Sequence, residues 1–111
     1  MYELAPRIVV PNAVRHLVSH AAHADGPPVL VLQNKATGFA LDSNANRNVY
    51  TQPRNGGAHQ SWVFEASGDG YYFLRDRATG FYLDSNADRE VYTHSRNGGS
   101  YQQWRLFTAP R

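Results

Sequence analysis

A block of 27 residues occurs twice in this chain at a constant offset of 42, and no other feature constrains the fold as tightly. Residues 36–62 and 78–104 agree at 19 of 27 positions. The first copy runs through Leu41-Asp42-Ser43-Asn44, Val49-Tyr50-Thr51, Asn55-Gly56-Gly57 and Gln60-x-Trp62. The second runs through Leu83-Asp84-Ser85-Asn86, Val91-Tyr92-Thr93, Asn97-Gly98-Gly99 and Gln102-x-Trp104. Self-similarity at a period near 40 marks a repeat architecture, in which one small unit cannot bury its apolar face without a neighbour.

Inside each copy the pattern is that of short strands. Val29-Leu30-Val31-Leu32 and its counterpart Tyr71-Tyr72-Phe73-Leu74 are runs rich in residues that favour strands. Ala36-Thr37-Gly38 and Ala78-Thr79-Gly80 are turn chemistry. Phe39-Ala40-Leu41 and Phe81-Tyr82-Leu83 alternate as half-buried strands do. The Val-Tyr-Thr segments supply a third strand, and the stretch opening at Gln-x-Trp supplies a fourth. Each copy is therefore expected to be four short strands, an all-β barrel spacing. Ser67-Gly68-Asp69-Gly70 punctuates the junction, placing repeat one at 29–66 and repeat two at 71–107. The core is expected from Trp62, Trp104, Leu41, Leu83, Val49, Val91, Phe39 and Phe81.

Residues 1–28 are of another kind. From Asn12 a 3.6-residue spacing places Val14, Leu17, Val18 and Ala21 on one face, and Asp25-Gly26-Pro27-Pro28 ends it. One amphipathic helix of about three turns is expected in this arm. His16, His20 and His23 line its opposite face. A structural zinc site needs four fixed ligands, and the helix offers no carboxylate to add to them, so no metal is assigned. A histidine stripe also suits a contact face that responds to pH near neutrality.

Composition removes several functions. There is no cysteine, hence neither disulfide framework nor thiolate metal site. The net charge of +2 comes from 11 basic residues scattered among 9 acidic ones, without the basic stripe of a nucleic-acid binder. No stretch approaches the ~20 apolar residues of a membrane span. Met1–Arg7 lacks the pattern of a signal peptide, which leaves two expectations: a cytoplasmic protein, or an exported one whose signal was removed. No nucleophile–base set or catalytic carboxylate pair stands out, so an enzyme is not expected and no cofactor is called for.

What remains is a polar-plus-aromatic set repeated twice. Asp42 and Asp84 offer acceptor-only carboxylates, able to take hydrogen bonds from neighbouring hydroxyls. Tyr50 and Tyr92 offer an aromatic face, and Asn55 and Asn97 offer both a donor and an acceptor. The glycines after each asparagine let backbone approach a ligand closely. A sugar asks for this combination, hydrogen bonds for its hydroxyls and a ring for its C–H patch. The same aspartates and asparagines could instead serve only local turn bonds. Gln60 and Gln102 are expected to support the loop and the aspartate.

These motifs resemble the ricin B-type lectin family, whose Gln-x-Trp repeats build the β-trefoil, three repeats about a pseudo-threefold axis. Within it they read most like the actinohivin-like, mannose-binding lectins. The resemblance covers about residues 29–107 and is silent on 1–28. It implies carbohydrate binding through Asp42, Tyr50 and Asn55 in the first copy, and through Asp84, Tyr92 and Asn97 in the second. A second aromatic falls on Tyr101, where the first copy has His59. Arg54 and Arg96, beside the asparagines, are expected to reach acidic or branched glycans. Residues 29–111 would form the lectin domain.

A trefoil takes three repeats and this chain shows two. Three solutions follow: homo-oligomers that share repeats, the helical arm capping the third position, or a chain that is part of something longer. Self-association is the favoured expectation, because repeats need neighbours. Other functions stay open: an assembly module that binds a protein partner, or a fragment of a toxin or hydrolase.

Overall fold

The structure, a computed structural model, describes residues 26–107. The helix expected after Asn12, with its three histidines, lies outside them. Seven strands run in chain order: β1 (Val29–Leu30), β2 (Ala40–Ser43), β3 (Val49–Gln52), β4 (Trp62–Gly68), β5 (Tyr71–Asp76), β6 (Tyr82–Ser85) and β7 (Val91–His94). One sheet has the order β1-β4-β5-β6-β7, and β2 pairs with β3 in the other. No helix among the described residues is long and apolar enough to cross a membrane.

The repeat in sequence becomes a repeat in register. In β2–β3 Asp42 sits opposite Tyr50, and in β6–β7 Asp84 sits opposite Tyr92. Directly opposed residues on antiparallel strands project to the same face. Between the repeats, β4 and β5 form the longest hairpin, with a register shift at Ala66/Gly68. Its tip needs left-handed backbone at Asp69 (φ 57°) and Gly70 (φ 82°). That explains the glycine and the aspartate, a residue type that tolerates this region.

The fourth strand differs between the copies. β4 is paired on one side by β1 (Leu30↔Trp62) and on the other by β5. In repeat two the segment from Trp104 has a partner on one side only, among the described residues. It shrinks to a single bridge with Tyr72, closed by backbone bonds of 2.8 and 2.9 Å. A lone bridge is what remains when half of a ladder has no neighbour.

Trp62, Phe64, Leu74 and Leu83 make the core cluster, with Leu41, Val49, Tyr72, Trp104 and others packed against it. Each tryptophan also donates its indole N–H to a carbonyl of its own repeat, Trp62 to Leu41 and Trp104 to Leu83, both at 3.1 Å. Three expected core residues are not in the core: Phe39 is 40% and Val91 47% exposed, and Phe81 is half-buried outside the cluster. Val49 packs on the central cluster, whereas Val91, one repeat later, lies in the terminal strand of the five-stranded sheet. Among the described residues no further strand is hydrogen-bonded beyond β7 in that sheet, and Val91 stays in solvent.

The two lobes meet at a polar contact. The Ser43 and Thr93 hydroxyls lie 3.2 Å apart in the interior, and Thr93 N–H donates to the Arg47 carbonyl at 3.0 Å. Asn48 adds a backbone bridge to Tyr92. Thr93 is fully buried by this contact, while its counterpart Thr51 is exposed.

Candidate functional site

Each lobe holds one bracket of hydrogen bonds, and the two brackets are nearly superimposable. Gln60 is fully buried at the end of a 3-10 turn (Ala58–Gln60). Its Nε2 donates to Asp42 Oδ2 and to the Pro53 carbonyl, both at 3.0 Å, and its Oε1 accepts Asn55 N–H at 3.0 Å. Gln102 does the same for Asp84 Oδ2 (2.9 Å), the Ser95 carbonyl (2.9 Å) and Asn97 N–H (3.1 Å). One amide thus uses both donors and its acceptor to lock the aspartate against the asparagine loop. This is why glutamine occupies the position: glutamate has no donor and leucine has neither group.

The asparagine loop has its own logic. Asn55 Oδ1 accepts Gly57 N–H at 2.7 Å, and Asn97 Oδ1 accepts Gly99 N–H at 2.8 Å. The first glycine of each pair has positive φ, 72° at Gly56 and 70° at Gly98. The second is glycine because a Cβ at Gly57 would come within 3.0 Å of Asn55 Oδ1, and one at Gly99 within 3.1 Å of Asn97 Oδ1. The close approach that requires the second glycine is therefore to the protein's own side chain. With its oxygen committed, each asparagine keeps an Nδ2 donor without a partner among the described residues, on an exposed loop.

The candidate residues of each copy fall around these brackets. Asp42 and Asp84 are buried, Tyr50 and Tyr92 half-buried across the strand from them. Asn55, Asn97, His59 and Tyr101 are exposed, with Tyr101 leaving 61% of its surface in solvent. Asp84 Oδ1 also accepts the Ser85 N–H at 2.7 Å, whereas Asp42 Oδ1 takes no hydrogen bond among the described residues. The Arg96 guanidinium lies 4.6 Å from the Phe73 ring centroid, a cation–π contact that holds it on the protein.

One residue of this neighbourhood escaped the sequence reading. Asp76 is fully buried, and its Oδ1 caps the following turn by accepting Ala78 and Thr79 N–H at 3.0 and 3.2 Å. Asn34 caps the equivalent turn of repeat one, accepting Ala36 and Thr37 N–H. The signal was the acid or amide four residues before each turn glycine, masked by the glycine itself. Asp76 Oδ2 has no partner. Burial raises its pKa above the ordinary aspartate value, opposed by the Thr79 and Ala78 amides and by nearby His59.

A measurable consequence follows. A carboxyl whose folded pKa lies above its unfolded one binds its proton more tightly in the native state, so it lowers stability as pH rises through that interval. At neutral pH the cost is fully present. Asp76→Asn, the residue that repeat one carries at 34, keeps the capping oxygen and removes the charge. Urea unfolding should show the variant more stable by about 1 kcal/mol at pH 7, because the charge is gone while a neutral amide nitrogen still lacks a partner. The gain should shrink as acid protonates Asp76 in the parent. A variant less stable than the parent at neutral pH would refute this account.

The strand order, the duplicated hairpins and the tryptophan-centred core define a β-trefoil-like protein. A model of the ricin-type β-trefoil lectin domain-like family matches residues 18–104. The chain belongs to that family. It is also similar to the crystal structure of a designed 3-fold symmetric protein, ThreeFoil, at 35% identity and a TM-score of 0.67. That match covers 73% of this chain and 65% of ThreeFoil, so the chain spans a little under two thirds of that protein's length.

Proposed function

We propose that the chain is a lectin that acts by binding alone, with one shallow glycan site in each lobe and a preference for mannose-type glycans. The observation that carries this reading is the duplicated bracket. In both lobes one glutamine ties a buried aspartate to the asparagine loop, and a tyrosine lies across the strand from that aspartate. The arrangement supplies an acceptor, an aromatic face and a donor, fixed before the ligand arrives, which lowers the ordering cost of binding. Site one comprises Asp42, Tyr50, Asn55 and His59; site two comprises Asp84, Tyr92, Asn97 and Tyr101. Each site by itself is weak, and useful affinity comes from several sites engaged together on self-associated chains. The mannose preference rests on the likeness of the motifs.

The test is the double variant Asp42→Asn, Asp84→Asn. Asparagine can still accept the glutamine N–H through its Oδ1; at 84 its Nδ2 gives up the Ser85 N–H bond, a local loss that should leave the circular dichroism spectrum in place. Loss of a charged acceptor for sugar hydroxyls should weaken each site by about 10- to 100-fold, the equivalent of one charge-assisted hydrogen bond. Glycan-array binding that is unchanged in a folded double variant would remove the assignment.

A further inference from the structure

One groove among the described residues lies outside both brackets. It has a volume of about 390 Å³ and is lined by Ser67, Gly68, Asp69, Tyr71, Ser100 and Gln103, between the tip of the β4–β5 hairpin and the 3-10 turn Ser100–Gln102. It is tied to site two through that turn and through Gln103. Ser100 directly precedes Tyr101, and Gln103 Nε2 reaches the Gly98 and Gly99 carbonyls at 3.4 and 3.5 Å. The floor is braced: Ser67 Oγ donates to Gln103 Oε1 at 3.1 Å. Arg105 donates to the Asp69 carbonyl at 2.9 Å and stacks its guanidinium 4.2 Å from the Tyr71 ring centroid. These contacts leave the Asp69 carboxylate and the Ser100 hydroxyl without partners among the described residues.

We infer that this groove is an extension subsite, which receives a second sugar of an oligosaccharide whose first sugar sits at Asp84, Tyr92 and Asn97. Its lining repeats the chemistry of the primary sites: a carboxylate acceptor, a hydroxyl, an amide and an aromatic ring held in place. Its volume falls in the range of small-molecule sites. Lobe one lacks the residues to build it, carrying Pro27, Val29, Ala58 and Ser61 where lobe two has Asp69, Tyr71, Ser100 and Gln103. The two sites therefore differ in reach, lobe one reading a single sugar and lobe two a longer chain. The inference rests on the lectin reading given above.

Calorimetry separates the two readings. With lobe one silenced by Asp42→Asn, the protein should bind a linear mannotriose about tenfold more tightly than methyl α-mannoside, the worth of one good hydrogen bond. Adding Asp69→Asn and Ser100→Ala should erase that advantage and leave methyl α-mannoside affinity unchanged. Asparagine tolerates the positive φ at 69, and alanine is what lobe one carries at 58, so both changes suit the fold. Tyr71→Val, again the residue of lobe one, provides an independent second variant with the same expected loss. Equal affinity for the two probes, or an advantage that survives all three substitutions, overturns the subsite while the lectin reading stands. Binding of neither probe overturns both.

Discussion

Gln60→Glu should cost the domain about 3–5 kcal/mol at neutral pH, the loss seen when one partner of a buried polar pair is made wrong. The substitution is isosteric, so packing around the side chain is unaltered and the effect is electrostatic. The amide nitrogen that donated to Asp42 Oδ2 and the Pro53 carbonyl becomes an oxygen, facing two acceptors at 3.0 Å each. Two carboxylates at that separation in a fully buried site cannot both ionise, and the pair holds a proton between them. Because the shared proton is bound more tightly in the folded state, stability should recover as pH falls and decline as it rises. For a domain of this size the neutral-pH loss corresponds to a fall in Tm of about 15 °C or more. Gln102→Glu should behave alike, since its bonds to Asp84 and Ser95 have the same geometry. Glycan binding should weaken in the altered lobe, because Asn55 and Asn97 are positioned through the same glutamines. Thermal melts of the two variants at pH 7 and in acid check this, and a Gln60→Glu protein as stable as its parent at pH 7 would show that the glutamine is not the bracket.

How far the sequence reveals this site depends on which interactions are periodic. The duplicated hairpins were legible because register follows from alternation, and a copy at a fixed offset repeats the register with it. The asparagine loop was half legible: Gly56 and Gly98 announce positive φ, but Gly57 and Gly99 are required by a contact with the preceding asparagine that no local rule displays. Asp76 was hidden because a capping aspartate looks the same in sequence whether its second oxygen reaches water or is sealed in. The Arg96 contact was hidden for a similar reason, since the Phe73 ring it covers is 23 positions away in the chain. The exposure of Phe39 and Val91 was illegible because it depends on neighbours, and a repeat motif reads the same at the end of an array as in its middle.

That last point leads to the prediction with the largest change in size. The lobe-to-lobe contact is directional: Ser43, the Arg47 carbonyl and Asn48 of one lobe meet Thr93 and Tyr92 of the next. Its two halves recur unused, Thr51 exposed on lobe one and Ser85 half-buried on lobe two. Arg89 has φ 70° against 68° at Arg47, so both lobes carry the same left-handed residue at this turn. We propose that lobes of other copies complete both halves, three chains of two lobes making two full trefoils, in which two chains keep their own lobe contact and the third divides its lobes between them. Thr51→Arg should then reduce the mass read by light scattering from the oligomer to a single chain with its fold intact, because an exposed position accepts the larger side chain. Thr93→Arg should instead unfold the domain, because the same substitution at the buried copy forces an unpaired charge into the lobe interface. Ser85→Arg, which blocks the other half, should also yield single chains. A parent that runs as a monomer at high concentration, or a Thr51→Arg protein that assembles like its parent, would rule out shared lobes and leave the binding sites to act without avidity.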